Sequence, residues 1–302
     1  MQINKHGSFY IRNGWPTKII DALNMDYHIF SPNNELNAVD SIGVGRVMIK
    51  AMRYWATVMG IAEEGKDQQG VYHKLTPLAE VVAHYDLYCS DKGTLWLMHR
   101  NLARDLDNAT AWHWAFNIYN ELSFTKGEFS NAFYAYLQRE GTAYNKNTVE
   151  KEFDCFKNTY VSDQAFSINK IIEEDTAPFF APLKLLEYKG NGRFEKRKTS
   201  AKEIPLHILF ACILMDNTEN LETNKQISIE HLLEDTNQVC KYMNLSYSTL
   251  LELLQQLENE RYLRLVNNFG NRYIEVNNND VDELLMAHYR MIGGDFACHI
   301  TI

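Results

Sequence analysis

Arg46, Lys50 and Arg53 lie in the stretch SIGVGRVMIKAMRYWATVMGI, residues 41–61. Steps of four and three place them along one edge of an α-helix. Cations so arranged can meet phosphate oxygens, and an arginine can also grip a base edge. The helix is expected from about Val44 to Met59, closed by Gly60, and it carries no acid of its own. Its apolar stripe is read as Val47, Ala51, Tyr54 and Val58, with Val44, Met48, Trp55 and Met59 beside it and the cations at the margin. The alternative is a merely solubilising face, the usual fate of a charge run. A second basic cluster, Arg193, Lys196, Arg197 and Lys198, crowds around the single acid Glu195 in LLEYKGNGRFEKRKTSAKE, residues 185–203. It reads as a hairpin turned by Gly-Asn-Gly. Such a hairpin can lie along a DNA backbone, or it can be an edge strand whose lysines discourage aggregation.

The rest of the chain is poor in recognisable catalytic patterns. No G-x-x-x-x-G-K-[ST], no G-x-G-x-x-G after a strand, no H-E-x-x-H and no G-x-S-x-G is present. His99 and His113 sit among Trp96, Trp112 and Trp114 without ligand spacing, and read as packed or capping histidines. Five widely spaced cysteines without a C-x-x-C pair argue against zinc and against a disulfide framework, and point to a reduced cytoplasm. Asp175, Glu187 and Lys189 form a loose echo of a metal-dependent nuclease core, with acids for a divalent metal and a lysine for the attacking water. That pattern is short enough to arise by chance. Glu63, Glu64 and Asp67 read as a solvated turn. No metal site and no catalytic set are therefore assigned.

The formal charge of −9 weighs against general affinity for polyanions, so any contact with nucleic acid must use a local patch. The N-terminus lacks a signal-peptide core, and the longest apolar run, residues 204–215, is broken by His207 and falls short of the about 20 residues that span a bilayer.

Around the first cation edge, helices over residues 13–24, 34–43 and 44–59 precede a hairpin over 61–75. That order predicts a winged helix-turn-helix, whose third helix enters the major groove. Residues 124–137 and 145–161 read as a further helix-turn-helix pair. Its stripe is Val149, Phe153, Phe156 and Tyr160, and its outer face mixes Lys146, Glu150, Asp154 and Lys157. A third winged-helix outline occupies the C-terminal segment. Its long helix, residues 246–263, turns Glu252, Gln255, Gln256, Glu258 and Glu260 outward, which suits a protein partner or a second copy better than phosphate. The expected fold is mainly α with small β-hairpins, in tandem winged helix-turn-helix-like units. The expected domains are 1–88, an N-terminal winged helix; 89–203, an aromatic helical domain with the basic hairpin; and 204–302, a C-terminal winged-helix-like domain.

Phe9, Arg12, Gly14 and Trp15, then SIGVGRVMIKAMRYW (41–55), KLTPLAE (74–80), TLWLMHRNLA (94–103), TAWHWAFN (110–117) and EFDCFKNTYV (152–161), resemble one bacterial family of domains of unknown function. Its members accompany DNA phosphorothioation proteins in defence operons and include the Ssp B component, a DNA-nicking subunit. The similarity is dense over residues 1–161 and thinner beyond. It implies duplex DNA and operon-encoded proteins as partners, and Mg²⁺ or Mn²⁺ if the chain nicks. Where members read His-Glu-Thr-Phe, this chain has His6, Gly7, Ser8 and Phe9, which puts nicking in question. The reading from sequence is a DNA-binding component of such a system. The alternatives are a protein-binding adaptor or a transcription regulator.

Overall fold

The structure, a computed structural model, describes residues 1–161, 177–268, 270–277 and 280–293. The chain is mostly helical, with small antiparallel sheets of two and three strands. Helix α1 (Trp15–Met25) starts after Gly14 at φ 79°, has a proline in its first turn, and buries Trp15, Ile19, Ile20 and Leu23. Helix α2 (Glu35–Ile42) ends on Gly43 at φ 72°, a left-handed position that favours glycine. Helix α3 (Arg46–Val58) follows at once from Gly45. Strands β1 (Ala62–Asp67) and β2 (Gly70–Leu75) then pair as a hairpin. A Cβ on Gly65 would meet the Tyr72 ring at 2.3 Å, so glycine is needed where that ring lies across the strand.

The α3 stripe differs from the one expected. Ile49, Met52, Trp55, Ala56 and Met59 are buried with Ala51 and Val58, whereas Val47 is 54% exposed and Tyr54 is only partly covered. The buried arc is therefore rotated toward Trp55, because that indole packs on Trp112 and His6 and donates to the Phe9 carbonyl at 2.9 Å. Burial of an aromatic of this size outweighs burial of one valine.

Helix α4 (Pro77–Tyr85) is capped by Thr76, whose hydroxyl accepts from the Ala79 N–H. Helix α5 (Lys92–Arg104) is capped by Asp91, and α6 (Thr110–Asn117) is buried along its whole length. His99 and His113 are buried, as packed histidines should be. His99 lies between the Tyr242 carbonyl at 2.8 Å and the Tyr160 hydroxyl at 3.0 Å. A short strand not foreseen from sequence, β3 (Ser123–Thr125), leads into α7 (Lys126–Arg139), which opens with a full Thr125–Glu128 capping box. Helix α8 (Lys146–Tyr160) buries the expected stripe and also Glu152. Glu152 accepts from the buried His6 at 3.0 Å and from the Asn4 N–H at 2.7 Å, which clamps the N-terminal segment to α8.

Strands β4 (Leu186–Gly190) and β5 (Arg193–Lys196) form the basic hairpin, with β5 central in the order β3-β5-β4. The edge-strand alternative for the basic strand is thus corrected: β3 covers the side that the sequence pattern leaves open. Beyond it come α9 (Leu206–Asp216), α10 (Thr218–Asn224), β6 (Gln226–Ser228), α11 (Ile229–Glu234), α12 (Val239–Tyr242) and α13 (Tyr247–Asn259). Strands β7 (Leu263–Asn268) and β8 (Asn271–Val276) and helix α14 (Val281–Gly293) follow. Sheet order here is β6-β8-β7.

Polar ties cross the middle of the chain. Arg100 meets Asp216 at 2.5 Å, Arg104 meets it at 3.0 Å, and the Tyr242 hydroxyl donates to it at 2.7 Å. Asp91 meets His288 at 2.6 Å, and Thr94 bonds Tyr289 at 2.9 Å. Cys89, Cys155, Cys212 and Cys240 are free and buried. Among the described residues no helix is long and apolar enough to cross a membrane.

Candidate nucleic-acid interface

The Gly43-Val44-Gly45 corner turns the chain from α2 into α3, and one edge of α3 faces outward. Arg46, Lys50 and Thr57 are exposed along that edge, with Arg53 half-buried between them. The acids that α3 lacks arrive from its neighbours. Glu35, first residue of α2, stands 3.4 Å from Arg46 and 3.3 Å from Lys50. Glu64, on β1, accepts two hydrogen bonds from Arg53, at 3.0 and 2.6 Å. The same carboxylate oxygen meets His73 Nε2 at 3.1 Å.

These pairs are unequal. Arg53 is only 28% exposed and is held at two points. Burial alone would raise the Glu64 carboxyl, but the Arg53 guanidinium and His73 together bring it below its ordinary range. Burial, then the charge of Arg53, lowers His73 against the pull of Glu64. Arg46 and Lys50 are 57% and 68% exposed and share the single Glu35 carboxylate, so this end of α3 keeps an excess of positive charge. A groove of about 630 Å³ beside it is bordered by Lys5, Glu35, Lys50, Arg53 and Glu64.

The second cluster is arranged differently. Lys196 is buried, 8% exposed, and its ammonium donates to the Ala115 carbonyl at 2.5 Å and to the Tyr119 carbonyl. It closes the C-terminal end of α6 and does not face outward from the hairpin. Arg197 bonds Glu203 at 2.7 and 2.9 Å, and these bonds take Glu203 down to about 2. Lys198 reaches back to Asn244 Oδ1 at 3.3 Å and to the Leu245 carbonyl at 3.4 Å. Arg193, 46% exposed, stands 3.6 Å from Glu128, and Lys198 is the other exposed member of the four. The hairpin thus joins β3, α6 and the residues between α12 and α13 rather than presenting four cations on one surface. Alternation along β5, with Phe194 and Lys196 both inward, is the pattern that could have warned of this.

Asp175 lies outside the described residues. Glu187 accepts from Lys189 at 2.7 Å and stands 3.7 Å from Arg197, so both its neighbours are cations. Among the described residues no three His, Cys, Asp or Glu side chains gather to hold a metal. On α13, Glu252, Gln255, Gln256 and Glu260 are exposed as expected. Glu258 instead turns back to accept from the Leu265 N–H at 2.7 Å. The sequence offered no sign of the His6–Glu152 clamp, whose partners are 146 residues apart.

No curated protein matches the chain. Two solved structures share its fold. A crystal structure of magnesium ion-bound SspB has a TM-score of 0.83 at 20% identity, covering 96% of this chain and 88% of that one. A crystal structure of SspB has a TM-score of 0.80 at the same identity and coverages, 20%, 96% and 88%. At that identity the likeness is one of fold. A family model described as a protein of unknown function, DUF4007, matches residues 3–289, and the chain belongs to that family.

Proposed function

We propose that this protein is the DNA-binding component of an SspB-like phosphorothioation defence system. In this reading α1–α3 and the β1–β2 hairpin act as a winged helix-turn-helix, with α3 laid against duplex DNA. The observation that carries the reading is the outward edge of α3, where Arg46 and Lys50 share one carboxylate. A phosphate can reach Arg46 and Lys50 from the solvent side, where they are 57% and 68% exposed; Glu35 is 20% exposed, so releasing it from both costs at least about 1 kcal/mol. Arg53 serves instead to tie α3 to the wing through Glu64. The SspB fold supports the context, and so does the resemblance of residues 1–161 to proteins of phosphorothioation operons.

Binding to labelled duplex DNA across a salt series tests the proposal. Affinity should fall with salt at a slope of about −0.9 per phosphate contact. Absence of duplex affinity at low salt, with folded protein, would dismiss it.

Nicking is a second reading, favoured by the fold shared with a magnesium-bound SspB. The described residues supply no three-ligand set, so no step through a metal is derived. Conversion of supercoiled plasmid to open circle with Mg²⁺ or Mn²⁺, abolished by chelator, would establish it. Intact plasmid with either metal, under conditions where the protein binds DNA, would remove it for the isolated chain. A third role, docking a basic protein partner or second copy on the exposed acidic and amide face of α13, is compatible with the first. It is tested by co-purification with operon proteins and by molar mass in solution.

A further inference from the structure

A second concentration of positive charge lines a concavity, with Lys196 at its buried side. A cavity of about 350 Å³ lies where the end of the basic hairpin meets α12 and the start of α13. Lys196, Lys198 and Lys241 all line it, together with Tyr119, Asn244 and Tyr247. None of the described residues that line it is acidic. None of the three lysines pairs with a carboxylate among the described residues. Lys196 is held by two carbonyls and lies 5.0 Å from the centre of the Tyr119 ring. Lys198 reaches only a neutral amide oxygen and a carbonyl, both beyond 3.2 Å.

Three cations in one cavity without a counter-ion oppose one another. Burial first, then the charge of Lys198, pushes Lys196 down to about 7, against the pull of Glu121. Burial lowers Lys198 too, and Lys241 adds to the effect. The first turn of α13 opens onto the same space, with Ser246 capping it through the Thr249 N–H at 3.1 Å, so the positive end of a helix adds to the lysines. An anion entering here would relieve that repulsion and find ammonium donors already placed.

We propose that this cavity binds a phosphate-bearing small molecule of mononucleotide size. Its phosphate would lie against Lys198 and Lys241 in front of Lys196, and its planar part against Tyr247, since Tyr119 is stacked on Trp114 and covered by Lys196. The volume falls at the small end of ligand pockets, roughly 300–1,000 Å³, and cannot admit a duplex. The residues are separate from those of α3, so failure of the DNA-binding reading leaves this one standing.

The test is calorimetric titration of the full chain with adenosine monophosphate, inorganic phosphate and adenosine, on the native protein and on Lys198→Ala, Lys241→Ala and the double variant. Lys198 is exposed and Lys241 partly so, and thermal melts check that the variants fold. Saturable binding of the monophosphate is expected, with phosphate weaker and adenosine weaker still. The double variant should lose roughly tenfold or more in affinity, as charge-assisted hydrogen bonds disappear. Arg46→Ala/Lys50→Ala should bind the monophosphate as the native chain does. The proposal is overturned if neither phosphate-bearing probe binds, if adenosine binds as well as the monophosphate, or if the folded double variant binds unchanged. A lysine-dependent affinity for a short single strand but not for the monophosphate would also overturn it, in favour of a nucleic-acid strand.

Discussion

Replacing Glu35 by glutamine should strengthen duplex binding. Arg46 and Lys50 lie 3.4 and 3.3 Å from its carboxylate and are mostly exposed, so a phosphate must displace that carboxylate from both. Taking about 0.5 kcal/mol for each exposed pair, the displacement costs about 1 kcal/mol. Its removal is worth about fivefold in Kd. In the opposite direction, Arg46→Ala/Lys50→Ala removes two cations and should flatten the salt slope by about 1.8, at about 0.9 per contact. Arg53→Ala should change the slope much less, because its guanidinium is committed to Glu64 and is 28% exposed. Fluorescence anisotropy of a labelled duplex, titrated with protein at several salt concentrations, reads all three. The reasoning is refuted if Glu35→Gln leaves affinity unchanged or weaker in a folded protein, or if the double variant keeps the native slope.

Other consequences concern the framework that holds this edge. Asp216→Ala leaves Arg100 and Arg104 without their shared buried carboxylate and the Tyr242 hydroxyl without its acceptor, and should cost about 3–5 kcal/mol, seen as a lower denaturation midpoint. His99 is neutral in the folded protein, since burial drives it down to about 4 from its ordinary 6.5. The unfolded chain therefore takes up the proton first, and stability present above pH 6.5 is lost as the pH falls toward 4. The slope should be about 1.4 kcal/mol per pH unit over that range. His99→Gln should remove this component from a series of denaturant melts, and an unaltered slope would show that other groups carry it. Gly60→Ala places a Cβ 2.2 Å from Asn101 Nδ2, which donates to the Met59 carbonyl at 3.1 Å, and does so at φ 69°. A loss of more than about 1 kcal/mol is expected from chemical denaturation, and it should shrink but not vanish if Asn101 is first replaced by alanine, because the left-handed strain at position 60 remains.

Much of the local architecture was legible without coordinates. The three N-terminal helices and their hairpin announce themselves through Pro16, Gly43, Gly60 and the Thr76-Pro77 start, all of which act within a few residues. The stripe of α8 and the burial of His99 and His113 follow from periodicity and aromatic company. The strands β3 and β6 escaped, at three residues each too short to show alternation. The choice of Val47 for the α3 stripe failed because two apolar arcs compete on that helix, and only the position of Trp112 and His6 favours the arc of Trp55.

Sequence alone determined that α3 would carry Arg46, Lys50 and Arg53 on one edge, because side-chain direction on a helix is fixed by residue spacing. It likewise determined that a basic strand would follow a Gly-Asn-Gly turn. Tertiary structure alone decided what those charges meet. Glu35 and Glu64 come to α3 from the preceding helix and the following strand. Lys196 turns inward onto carbonyls 77 and 81 residues earlier in the chain. Lys198 and Lys241 come to one cavity from a hairpin end and a separate helix. Local spacing sets the direction of a side chain from its own backbone, whereas the counter-charge it finds depends on how distant segments pack.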